Sequence, residues 1–162
     1  MPGLYLIPAE KITERLRYEN SWWVNKQIPQ VYTTMAKRLY FSLFYPYVTD
    51  KNVRRAVVLM GPRRVGKTVM LFHSIQQLLE EGTNPQQIFF VGIDNPIYVQ
   101  LSLEDILNLC KQSLNLSHLK DCYVFFDEIQ YLKDWERHLK VLVDSYPDTK
   151  FIVSGSAAAA LK

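Results

Sequence analysis

The chain has 162 residues, 48% hydrophobic and 22% charged, a balance that excludes disorder and provides for one domain with a real core. Its net charge of +3 is too mild to mark a nucleic-acid binder, since a phosphate-binding protein needs positive charge in any case. Cys110 and Cys122 form no metal or redox motif, no secretory leader opens the sequence, and no apolar run reaches the ~20 residues that span a bilayer, so a cytoplasmic protein with reduced thiols is expected.

Residues 1–50 read as a helical N-terminal extension. A charged stretch over 8–16 predicts a short helix, and SWWVNKQIPQ reads as an aromatic loop ending at Pro29. Beyond it Tyr32, Ala36, Leu39 and Leu43 recur at i, i+4, i+7 and i+11, one face of a helix that should stop before Pro46. The aromatic residues between Trp22 and Tyr47 are expected to pack the extension rather than to stack on bases.

Residues 51–162 alternate in type. AVVLM (56–60) predicts a buried strand, followed by a glycine loop and a helix over 68–81 with Gly82 as its stop. Residues 87–94 predict a second strand. Ser102 and Asp105 suggest a capping box that opens a helix to about Leu114. CYVFFD (122–127) predicts a third strand. Asp134 is read as the cap of a helix over 135–145 with Trp135, Leu139, Leu142 and Val143 inward. Residues 150–154 predict a fourth strand, and a further helix is expected from Ser156. Continuously apolar strands separated by helices specify an α/β fold, a parallel sheet covered on both faces.

The loop Gly61-Pro62-Arg63-Arg64-Val65-Gly66-Lys67-Thr68 fits G-x-x-x-x-G-K-[ST] and lies between a strand and a helix, the context that gives the pattern meaning. Its main-chain N–H groups would cradle phosphates at the helix N-terminus, reaching to Val69. Lys67 would reach the β- and γ-phosphates, and the Thr68 hydroxyl would hold Mg2+. Asp127 and Glu128 end the third strand on the side where ligands sit in open α/β sheets. Asp127 suits the metal, and Glu128 suits a water that attacks the γ-phosphate. ATP hydrolysis is therefore expected. A whole strand-helix unit separates this pair from the loop, so the fourth strand could fit between them. That would bring Ser154 or Ser156 to the γ-phosphate. His73, His118 and His138 are scattered and suggest no ligand set.

GPRRVGKT, YVFFDEIQYLKDWERHLKVLVD and FIVSGS together resemble the prokaryotic AAA+-superfamily ATPases related to the archaeal and STAND-type P-loop ATPases, from about residue 28 to the end. The resemblance implies an ASCE-type P-loop NTPase with spatial strand order 5-1-4-3-2 and ATP and Mg2+ as ligands. It further implies Lys67 and Thr68 at phosphate and metal, Asp127 at the metal, Glu128 as catalytic base and the Ser154–Ser156 stretch as first sensor. Members usually continue with an arginine-bearing segment, a fifth strand, and winged-helix and nuclease-like regions, so 51–162 reads as a core that ends after the sensor strand, without the lid. A protein partner is left open, nucleic acid enters by family analogy alone, and the face made by Tyr32, Ala36, Leu39 and Leu43 is expected to cover the outer edge of the first strand, which otherwise invites self-association.

Overall fold

Four short apolar runs close into one parallel sheet in the computed structural model, which describes residues 7–62 and 66–156. They are β1 (Val57–Gly61), β2 (Ile88–Gly92), β3 (Tyr123–Asp127) and β4 (Lys150–Ser156), in the spatial order β1-β4-β3-β2. The fourth strand does lie between the first and the third, and the order of these four is the one the family resemblance implies. β2, β3 and β4 are buried along their whole length, as strands covered on both faces must be.

The crossover helices are α5 (Lys67–Glu80), α6 (Leu103–Ser113) and α7 (Trp135–Ser145). The chain steps outward from β1 to β2 and then returns, so right-handed crossovers put α5 on one face and α6 and α7 on the other. The expected capping box is present: Ser102 Oγ accepts from Asp105 N at 3.1 Å, and Asp105 Oδ2 accepts from Ser102 N at 3.1 Å. Asp134 is a correction. Its backbone is left-handed (φ 57°) and its side chain makes no cap hydrogen bond to α7.

The extension holds α1 (Ala9–Glu19), α2 (Trp22–Asn25), α3 (Gln30–Thr33) and α4 (Phe41–Thr49). The single helix expected through Tyr32 and Leu43 is broken. Thr33 and Thr34 turn their hydroxyls back onto the carbonyls of Gln30 and Val31 at 2.7 and 3.2 Å, competing with helical N–H groups, and both are β-branched. Nor does the helix stop before Pro46, which lies inside α4. The proline leaves Ser42 O without its i+4 donor, but Ser42 is exposed and water can serve. Phe41, Phe44, Tyr45 and Val48, at i, i+3, i+4 and i+7, are what α4 buries, whereas Leu39 is 94% exposed.

The two sheet edges are treated differently. β2 has only β3 as a strand neighbour, and its outward main-chain groups are taken by side chains of the extension. Asn20 pairs with Phe90 as another strand would, donating to its carbonyl at 2.9 Å and accepting its N–H at 2.6 Å. Trp22 and Trp23 both donate their indole N–H to Ile88 O, and Glu19 accepts from Gly92 N. The β1 edge has no such cover among the described residues, and Val58 and Met60 remain open to solvent. The extension therefore shields the edge opposite to the expected one. Its aromatic residues do pack: Trp22, Trp23, Phe41 and Phe44 belong to the core.

Candidate functional site

Parallel registry brings the carboxyl ends of the strands level. Gly61 faces Ser156, Leu59 faces Ser154, and Gly92 faces Asp127. Every predicted site residue that the structure describes therefore lies at one end of the sheet, where the loops can meet a ligand.

Gly61 closes β1, Pro62 follows it, and Gly66 resumes as the residue before α5 with φ 87°, a left-handed conformation that glycine adopts without penalty. Arg63, Arg64 and Val65 lie outside the described residues. The Lys67 ammonium arches back over the loop and donates to Gly61 O at 3.0 Å and Pro62 O at 2.5 Å. These two bonds tie the loop's start to its end and hold a cation beside the first turn of α5. Val69, in the same first turn, is buried.

Thr68 and Asp127 meet across the gap between α5 and β3. The hydroxyl donates to Asp127 Oδ2 at 2.9 Å. Two cis oxygens on an octahedral ion at 2.0–2.1 Å lie about 2.9 Å apart, so this pair fits Mg2+, which takes one or two protein oxygens and fills the rest with water and phosphate. No cluster of three His, Cys, Asp or Glu side chains occurs among the described residues.

Ser154 connects the Asp127 carboxylate to the main chain of Glu128. Its Oγ donates to Asp127 Oδ1 and accepts the main-chain N–H of Glu128 at 3.0 Å. Burial pushes the Asp127 carboxyl above its ordinary value, opposed by the hydrogen bonds from Ser154 and Thr68. Ser156 takes a different position: its side-chain oxygen is buried without a partner among the described residues, while its N–H donates to Gln130 Oε1 at 3.1 Å. Ser156 is also the last residue of β4 rather than the start of a helix, and the helix expected after it falls outside the described residues.

Glu128 stands at the turn out of β3 with φ 57° and ψ 48°. A left-handed non-glycine residue costs about 1–3 kcal/mol, and such strain collects at sites that use it. Its Oε2 accepts from Gln130 Nε2 at 2.7 Å. Gln130 thus links the carboxylate to the end of β4, a role the sequence signals only by placing a glutamine two residues after Glu128. Gly155 makes room for it, since a Cβ there would lie 3.2 Å from Gln130 Oε1. Thr68, Asp127 and Glu128 line an open cleft of about 1,090 Å3 together with Asp94, Glu19 and Tyr32. The three histidines stay outside it: His73 is buried against the Tyr32 carbonyl, and His118 Nδ1 accepts from Lys120 N.

A family model described as an AAA domain matches residues 53–162. Among curated proteins, an uncharacterized protein of Methanocaldococcus jannaschii is 27% identical over 104 residues, 64% of this chain and 22% of that protein. An uncharacterized protein of Haemophilus influenzae is 28% identical over 102 residues, covering 62% and 25%. The chain spans about a quarter of the length of these relatives.

Proposed function

Since the chain belongs to the AAA-domain family of P-loop ATPases, we propose that it binds Mg-ATP at the β1–α5 loop and hydrolyses it with Glu128 as general base. The observation that carries this reading is the continuous linkage from the Thr68 hydroxyl through the Asp127 carboxylate and Ser154 Oγ to the main-chain N–H of Glu128. It ties the end of the phosphate loop to one carboxylate and to the backbone that carries the other.

In this reading Lys67 neutralises the β- and γ-phosphates, and the main-chain N–H groups of Gly66, Lys67 and Thr68 hold the phosphate chain. Thr68 and Asp127 would hold the metal, which supplies charge neutralisation on the phosphate oxygens. Glu128 accepts a proton from a water whose oxygen attacks the γ-phosphorus in line, while the bond to the bridging oxygen of ADP breaks. Ser154 fixes Asp127 and, through the Glu128 N–H, the start of the turn that carries the base.

A second reading is a nucleotide-gated scaffold with little turnover, favoured by the engagement of the Glu128 carboxylate by Gln130. Single-turnover assays with Mg-ATP on the wild type, Glu128→Gln and Asp127→Asn separate the two. The ATPase reading expects Glu128→Gln to bind ATP and lose hydrolysis, and Asp127→Asn to lose the magnesium dependence of binding. Hydrolysis by Glu128→Gln at the wild-type rate would remove Glu128 as base. No helix among the described residues is long and apolar enough to cross a membrane, and we place the activity in the cytoplasm. Contact with a nucleic acid rests on family likeness alone, and a protein partner is left open.

A further inference from the structure

The extension reaches the phosphate loop through one cation. Residues 32–41 are laid along α5 by several contacts. The Tyr32 ring stacks on Phe72 at 4.2 Å, His73 Nε2 meets the Tyr32 carbonyl at 2.8 Å, and Lys37 Nζ donates to Gln77 Oε1 at 3.4 Å. From this segment the Arg38 side chain runs to the start of α5. Its guanidinium lies over Gly66 so closely that a Cβ on that glycine would sit 2.8 Å from Arg38 Cζ and 3.0 Å from Nη2.

This is an unusual place for a guanidinium. The N-terminus of the fourteen-residue helix α5 carries partial positive charge on its unpaired N–H groups, and the Lys67 ammonium belongs to the very next residue. Among the described residues no carboxylate lies within ion-pair distance of Arg38. The guanidinium thus faces the helix N-terminus without a counter-charge among the described residues, an arrangement that repulsion disfavours until an anion enters. The Lys67 ammonium is turned to the Gly61 and Pro62 carbonyls. A planar guanidinium also presents paired donors that match phosphate oxygens.

We propose that Arg38 is a phosphate ligand supplied by the N-terminal extension, pairing with the α- and β-phosphates of a bound nucleoside di- or triphosphate. Gly66 lies at the part of the loop that cradles those phosphates, whereas Lys67 reaches the β/γ end. Arg38 therefore acts on binding of ADP and ATP alike. It also ties the segment between α3 and α4 to occupancy of the site. The assignment rests on the phosphate-loop reading above.

Fluorescent ADP and ATP analogues titrated against the wild type, Arg38→Ala, Arg38→Lys and Lys67→Ala, each at low and high salt, test it. Circular dichroism confirms that the variants are folded, as expected for an exposed side chain. Arg38→Ala should weaken both nucleotides roughly tenfold or more, with a flatter salt dependence and Arg38→Lys in between. Trypsin should cut the wild type after Lys37 and Arg38 more slowly when ADP is bound. Wild-type affinity in Arg38→Ala, with Lys67→Ala weakened, overturns the role of Arg38 and leaves the phosphate loop standing. Tighter binding by Arg38→Ala would show a plug rather than a ligand and equally overturns it. Unchanged binding in Lys67→Ala overturns the phosphate-loop reading and this assignment with it.

Discussion

The Gln130 amide donates to the Glu128 carboxylate at 2.7 Å, and its own oxygen accepts the Ser156 N–H at 3.1 Å. The side chain proposed to take the water's proton is thus held by a residue anchored to the neighbouring strand. Replacing Gln130 with Ala frees the carboxylate without touching the phosphate loop. The single-turnover rate should fall roughly ten- to a hundredfold, the span of one hydrogen bond to a charged group, with ATP affinity unchanged. Gln130→Glu keeps the acceptor for Ser156 but replaces the amide donor with a like charge beside Glu128, so its rate should fall at least as far as that of Gln130→Ala. Wild-type rates in both variants would leave Gln130 a bystander.

Ser154→Ala removes one of the two hydrogen bonds that favour ionised Asp127. Burial already raises that carboxyl, so the variant should hold its proton to a higher pH. Magnesium-dependent nucleotide binding should then fail earlier as the pH is lowered. Titrations between about pH 5 and 8 measure this, and coincident curves for wild type and variant would contradict it.

Glu19 offers a stability test. Burial pushes its carboxyl from 4.5 up to about 7, against hydrogen bonds from Tyr98 and Gly92 and the charge of Arg15. A folded-state value above the unfolded one means that the stabilisation is complete below about pH 4.5 and is lost as the pH rises through about 7. Glu19→Gln imitates the protonated form. It should match the wild type near about pH 4 and exceed it above about pH 8, by on the order of 3 kcal/mol in urea unfolding. Parallel stability curves for the two proteins would refute the assignment.

Asn20→Ala strips both partners from Phe90 at a buried strand edge. Each unsatisfied main-chain group costs about 1–3 kcal/mol, so a loss of roughly 2–6 kcal/mol is expected. Trp22→Phe keeps one aromatic ring and leaves Ile88 O with the Trp23 donor, so the hydrogen bond itself should matter by only about 0.5–1.5 kcal/mol. Any further loss comes from the cavity left by the missing pyrrole ring at this buried site. Equal losses in the two variants would mean that packing, not edge pairing, is the work of this segment.

The open β1 edge carries Val58, 46% exposed, in a strand with no charged residue, beside exposed Leu43 and Tyr47 on α4. Such an edge templates pairing with another strand, and an edge lysine blocks it. Light scattering should show particle size rising with concentration for the wild type and staying flat for Val58→Lys. A monodisperse wild type would argue that this edge does not self-associate.

The sheet was legible because its strands are apolar from end to end, and the motif residues sit where those runs stop. The unit inserted between the phosphate loop and Asp127 left room for β4 between their strands, and the family resemblance implied that place. Local competition hid the break in the extension: Tyr32, Ala36, Leu39 and Leu43 keep helical spacing, but the threonine hydroxyls take the carbonyls that a continuous helix needs. Nothing local could announce Asn20, whose partner is Phe90, 70 residues away. Arg38 was hidden in the same way, since a cation in an exposed segment reads as solvated until the fold sets it over Gly66.

The side-chain cover of β2 also has a consequence in time. Trp22 and Trp23 leave the ribosome 66 and 65 residues ahead of the Ile88 carbonyl they bind. At about 5–20 residues per second, both indoles wait roughly 3–13 s for their partner to be made. Through that interval the paired tryptophans of the extension have no sheet to rest on. A nascent chain halted before residue 88 should therefore display them to chaperones, and one released past β2 should hide them.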